Sequence, residues 1–168
     1  MKKLALLYSF NTQKTSRAAK LIQEEFGGVL EEVNVEEINV KKFMAFEKYI
    51  LGVPTWFDGE LPNYWDEFLP DLEELDLNGK TFALYGAGDQ KGYPENYVDA
   101  IGLLANLIEE RGGKLIGFVS TDGYEFESSK AVRGKNFCGL ALDFENQARL
   151  VKPRIAKWVE QLKKEFVN

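Results

Sequence analysis

The stretch LALLYSFNTQKTSRAA, Leu4 to Ala19, joins an apolar run to a run of hydroxyl and amide side chains. The apolar part reads as a buried strand, because a parallel strand covered on both faces is apolar throughout rather than alternating. Behind it, Ala18, Leu21, Ile22 and Phe26 recur at helical spacing, and Gly27-Gly28 closes that helix. The turn between them carries Ser9, Asn11, Thr12, Gln13, Thr15 and Ser16, with Phe10 among them and no glycine. Strand, polar turn and helix together form the opening unit of an α/β fold. They also bring free backbone N–H groups and the positive end of a helix dipole to one spot, which favours an anion. The hydroxyls of Ser9, Thr12 and Thr15 would add donors. The same side chains serve equally as plain helix caps, and composition alone leaves both readings open. A Walker-type phosphate loop is excluded, since no Gly-Lys-Thr run is present.

The alternation continues along the chain. Periodicity predicts strands at Lys3–Ser9, Val29–Val35, Lys48–Trp56, Lys80–Gly88 and Lys114–Ser120. Helices are predicted at Thr15–Phe26, Val40–Phe46, Asn63–Leu75, Glu95–Arg111 and Pro153–Phe166, the last with Pro153 in its first turn. This pattern implies a three-layer, doubly wound, five-stranded parallel sheet in a single domain over residues 1–168. Residues 121–144 are too long for a simple loop and contain another strand-like run, FCGLAL. They read as an excursion that leaves the sheet and returns.

Composition narrows the function. The 168 residues carry a net charge of −6 and no histidine, with 45% hydrophobic side chains. His-based acid/base chemistry and His-ligated metals are excluded, and nucleic acid would need a basic surface. No apolar run approaches the roughly 20 residues that span a bilayer. MKKLALLY reads as a first strand rather than a signal peptide, for no small-residue cleavage site follows it. Cys138 is the only cysteine, so no internal disulfide forms and a cytoplasmic location is expected by default.

Ligands of open parallel sheets sit outside the carboxyl ends of the strands. Three loops leave such ends: 9–15, 55–62 and 86–97. Trp56 follows a strand end in the second loop, either as a stacking surface or as a lid on the core. In the third, the small residues Gly86, Ala87 and Gly88 let backbone approach a ligand closely, and Tyr93 offers another ring or packs on its own loop. A phosphate at one loop and two aromatic rings at the others suit a flat ligand with a phosphate tail. Flavin mononucleotide (FMN) has that shape.

At these residues the chain resembles a known family, the long-chain flavodoxins. GVPTW, GELP, YGAGDQKGYPENYVDAIG, STDGYEFESSKAVRGKNFCGLALDFENQ and RIAKWVEQLKKEF carry the resemblance, which extends over nearly the whole chain. It implies strand order 2-1-3-4-5, bound FMN, and low-potential one-electron transfer between larger redox enzymes, with no catalytic residue. The segment 121–144 would be the insertion that defines the long-chain group. The implied phosphate loop is Ser9, Phe10, Asn11, Thr12, Gln13, Lys14 and Thr15. Trp56, flanked by Pro54 and Thr55, would cover the inner face of the ring, and Tyr93 its outer face. Gly88 and Asp89 lie in the stretch whose backbone meets the pyrimidine edge, and Gly86, Ala87 and Asn96 are further cofactor-binding candidates. Phe57 and Asp58 flank the peptide that responds to reduction at the flavin N5, with Gly59 beside them as a further cofactor-binding candidate.

Two positions depart from the family pattern. Its phosphate loop usually reads Thr-x-Thr-Gly-x-Thr. Phe10 removes one hydroxyl here, and Gln13 replaces the glycine, so either the loop uses angles that glutamine accepts or it is strained. Gln13 either supplies an amide donor or leaves the phosphate more weakly held. Phe57 stands where glycine or asparagine would turn easily, so a costlier peptide flip and a less stabilised one-electron-reduced flavin are expected. Asp58, Glu60, Asp66, Glu67, Asp71, Glu73, Glu74 and Asp76 fall in one stretch without Lys or Arg. They read as a solvated face or as a surface that steers basic-surfaced redox partners in transient complexes. A monomer is expected for a shuttle. The alternative function is a flavodoxin-fold NAD(P)H:quinone reductase, although nothing resembles a nicotinamide-binding motif.

Overall fold

The computed structural model describes residues 4–56 and 59–167. Its elements follow in chain order as β1 (Ala5–Tyr8), α1 (Lys14–Glu25), β2 (Glu31–Asn34), a 3-10 turn (Val35–Glu37), α2 (Val40–Phe43), β3 (Lys48–Gly52), α3 (Asn63–Leu72), β4 (Thr81–Ala87), α4 (Asp99–Glu110) and β5 (Lys114–Ile116). The excursion holds β6 (Val119–Ser120), β7 (Val132–Arg133) and β8 (Asn136–Phe137). β9 (Leu140–Leu142) and α5 (Ala148–Glu165) complete the chain.

The main sheet has the order β2-β1-β3-β4-β5, all parallel. All four residues of β1 are buried, as the apolar run requires. One face packs against α3 and α4, where Trp65, Phe68, Leu104 and Ile108 meet Phe82 and Leu84. The other packs against α1 and α5, where Ile22, Trp158 and Leu162 meet Ile50 and Tyr85. Burying each such side chain is worth roughly 1.5–3 kcal/mol, so these two layers dominate the stability.

The fifth strand differs from the expected continuous one. β5 pairs with Thr81–Ala83 and stops at Ile116. Gly117 then takes φ 80°, a left-handed angle that ends the strand. Its N–H donates to Glu165 Oε1 at 2.8 Å and its carbonyl accepts from Trp158 Nε1 at 2.8 Å. The chain leaves the sheet there. β6, β8 and β7 form a small antiparallel sheet. It returns as β9, which pairs with Tyr85–Ala87 on the vacant half of β4. Two short strands thus share one edge.

Two helix starts also differ. α4 begins at Asp99, not Glu95, because Val98 adopts a left-handed φ of 48° and interrupts the helical run. α5 begins at Ala148, five residues before Pro153, which lies inside the helix on its exposed side. No helix among the described residues is long and apolar enough to cross a membrane.

Candidate functional site

The parallel sheet brings the carboxyl ends of β1, β3 and β4 side by side, and the loops that leave them enclose a trough. It consists of two clefts of about 440 and 520 Å³ that share Thr55, Trp56, Gly88, Asp89 and Tyr93. The larger runs to Asn11, Thr12, Gln13, Lys14 and Thr15 at the start of α1, and touches Pro54 and Ala87. The smaller ends at Asn96, Tyr97 and Val98.

At the α1 end, Gln13 is the N-cap with φ −94° and ψ −63°, ordinary right-handed angles. A glutamine therefore replaces glycine here without backbone strain. Its side chain makes no capping bond. The N–H groups of Gln13, Lys14, Thr15 and Ser16 have no hydrogen-bond partner among the described residues. These are the orphan donors of a helix start, and Gln13, Lys14 and Thr15 line the larger cleft. The Thr12 hydroxyl donates to the Ser9 carbonyl at 2.7 Å and pairs with the Ser16 hydroxyl at 3.0 Å. The Lys14 ammonium is paired with Glu145, which also lines the cleft.

In the second loop, Trp56 and Glu60 exchange backbone hydrogen bonds at 2.8 and 2.7 Å, closing a tight antiparallel turn. The half-buried Trp56 ring meets Tyr64 of α3 edge-on, with centroids 5.8 Å apart. The Thr55 hydroxyl accepts from Ala100 N–H at 3.0 Å, tying this loop to α4. In the third loop, Tyr93 is 56% exposed at the mouth of the trough. Its N–H reaches back to the Asp89 carbonyl at 2.9 Å. The Asp89 carboxylate accepts from the Gly92 and Lys91 amides and from Asn146 Nδ2. These bonds, that from Gly92 first, hold its pKa below the usual carboxylate value. It stays ionised at neutral pH.

Several predicted residues stand elsewhere. Ser9 is 1% exposed, and its hydroxyl donates to Glu36 rather than into the trough. Phe10 points to solvent and packs against Tyr8, with ring centroids 5.0 Å apart. Gly86 lies within β4, paired with Ala141 of β9, where a side chain would collide with the Val53 carbonyl. Gly59, at φ 95°, packs on Asp99 and borders a groove between α3 and α4. Phe57 and Asp58 lie outside the described residues. The trough is also lined by Tyr97, Val98 and Glu145, which sequence reasoning missed. Tyr97 and Val98 look like helix core from their spacing. Glu145 comes from beyond the excursion, and no local signal marks it.

Residues 6–158 match the flavodoxin family. The chain belongs to the flavodoxin family. It is 46% identical to a Nostoc flavodoxin over 166 residues, covering 98% of each chain. It is 39% identical to Flavodoxin 1 of Escherichia coli, covering 96% of this chain and 93% of that one. Among solved structures, the Fusobacterium nucleatum flavodoxin bound to flavin mononucleotide superposes with a TM-score of 0.91 at 36% identity, covering 98% and 99% of the two chains. Flavodoxin topology explains why the three loops converge. The order β2-β1-β3 reverses the winding between β1 and β3, and the trough opens at that switch point.

Proposed function

We propose that this flavodoxin holds FMN in the trough and carries single electrons between larger redox enzymes. The carrying observation is the trough itself: unspent helix amides at one end, Trp56 and Tyr93 at the other, in adjoining clefts. The residues present fit the cofactor. The open amides of Gln13, Lys14 and Thr15 at the start of α1 and the buried Thr15, whose hydroxyl makes no bond among the described residues, suit a phosphate dianion held by neutral donors. Trp56 and Tyr93 supply flat surfaces for the ring. The small Gly88 lets backbone close on its polar edge.

Bound FMN supplies the one-electron chemistry, and the protein sets its energetics. Trp56 and Tyr93 exclude water from the ring faces. The ionised Asp89 carboxylate lines the same cleft and opposes added negative charge, as does the net charge of −6. Both make reduction harder and the reduced protein a stronger donor. Flavodoxins carry electrons rather than turn over a substrate, and no observation favours the quinone reductase alternative. Glu60, Asp66, Glu67, Asp71, Glu73, Glu74 and Asp76 are all exposed. They form a surface suited to brief contact with basic redox partners. We read it as a cytoplasmic monomer, in keeping with a lone cysteine, Cys138, that is free and buried.

Titrating apoprotein with FMN and with riboflavin, followed by flavin fluorescence, tests this reading. Quenching at micromolar FMN, with weaker uptake of riboflavin, is the expected result. Failure of FMN to bind at that level would refute it.

A further inference from the structure

We propose that Glu36 sets how tightly the first loop holds an anion, by engaging the loop's own side-chain donors with an internal carboxylate. The inference rests on reading that loop as the phosphate site. Glu36 lies in the 3-10 turn straight after β2, beside the carboxyl end of β1. Its Oε2 accepts from the Ser9 hydroxyl and from Asn11 Nδ2, the latter at 2.9 Å. Asn34, the N-cap of that turn, accepts through Oδ1 from Phe10 N–H at 3.3 Å and Glu36 N–H at 3.2 Å. The turn is therefore pinned to the loop at several points.

The consequence is a division of the donors. Those at positions 9 to 11 are turned toward the β2 turn or toward each other, since Asn11 N–H goes to Ser9 Oγ at 3.3 Å. The backbone N–H groups of Gln13, Lys14 and Thr15 remain open at the trough. Glu36 also brings a permanent charge. The bonds from Ser9 first and Asn11 second hold its pKa below the usual value, so it is ionised at neutral pH. Glu36 is exposed, so solvent screens this charge. The Tyr64 hydroxyl is buried with no hydrogen-bond partner among the described residues. Burial raises its pKa most, and the Glu36 charge raises it further. Tyr64 packs on Trp56, which lines both clefts. A phosphate dianion entering this loop meets fewer side-chain donors and a like charge. A ligand without phosphate meets neither effect.

The test compares wild type, Glu36→Ala, Glu36→Gln and the neighbouring Glu37→Gln for FMN and riboflavin dissociation constants. Glu36→Ala frees both donors and removes the charge, and FMN should bind roughly three- to tenfold more tightly, the size expected of a screened charge and released hydrogen bonds. Glu36→Gln should give a smaller gain, and Glu37→Gln none. Riboflavin affinity should not move. Inorganic phosphate should raise the melting temperature of Glu36→Ala apoprotein more than that of wild type, a readout independent of the flavin. Unchanged or weaker FMN binding in both Glu36 variants, or riboflavin shifting in parallel, would overturn the inference while leaving the functional reading intact. A wild type that binds no FMN would sink the functional reading, and the phosphate shift would still decide the role of Glu36.

Discussion

Gln13 occupies the N-cap of α1 at φ −94°, where most residues sit comfortably. Restoring the family's glycine there relieves no strain. Gln13→Gly should leave FMN affinity within about twofold and lower unfolding stability by roughly 0.5–1 kcal/mol, since glycine adds freedom to the unfolded chain. Fluorescence titration and urea unfolding measure both, and a large gain in affinity would count against the angles described. Charge at single residues gives a second prediction. The carboxyls of Glu36, Asp76 and Asp89 all have lowered pKa values, each through hydrogen bonds. A lowered folded value means that the unfolded chain binds protons more readily. These groups therefore contribute stability that is complete above about pH 4–5 and lost as pH falls through their folded values. Melting temperature should stay level from pH 7 to about 5 and drop below 4, and Asp89→Asn should flatten part of that drop.

At the scale of elements, Gly117 is the pivot at which β5 leaves the sheet. A Cβ there would stand 2.9 Å from Trp158 Nε1 and 3.0 Å from Leu162 Cδ2, on a backbone at φ 80°. Gly117→Ala should destabilise by about 2–4 kcal/mol in urea unfolding, through strain and displacement of Trp158. A loss under 0.5 kcal/mol would contradict this geometry. The strands β1, β3 and β4 were legible in sequence because burial on both faces leaves continuous apolar runs. The split of the fifth strand was not, because Lys114–Ser120 is apolar on either side of Gly117 and only φ separates the halves. The start of α4 was hidden for a related reason, since Tyr97 and Val98 continue its apolar spacing from a non-helical turn. For α5, Pro153 suggested a first turn, although Val151 shares a buried face with Ile155, Trp158 and Leu162. The site loops were legible from topology. Glu36 and Glu145 were not, because they meet the first loop across 27 and 131 residues of chain.

For the whole molecule, charge is unevenly spread. The exposed carboxylates from Glu60 to Asp76 begin at the loop that carries Trp56 and extend along α3. Attraction between such a surface and a basic partner is screened as the Debye length falls from about 10 Å at 0.1 M salt to about 3 Å at 1 M. Electron transfer to a basic reductase should slow by about tenfold or more over that range, measured by stopped flow. A rate indifferent to salt would place docking elsewhere. The excursion contributes to the site from behind. Its Glu127 and Ser128 amides bond the Pro94 carbonyl at 2.8 and 3.0 Å, and Glu125 N–H bonds Gln90 Oε1 at 2.5 Å, bracing the loop that presents Tyr93.

The shared sheet edge of β5 and β9 carries a last consequence. Thr81–Ala83 and Tyr85–Ala87 take partners from segments whose ends meet across a single residue of β4, Leu84. The chain between Ile116 and Leu140 therefore departs from and rejoins the lattice at almost the same point. New chain can be added there without rewiring any crossover, whereas removal would take Ala131, Phe137 and Cys138 out of the core. This makes the seam a natural port for grafting a foreign module next to the redox centre.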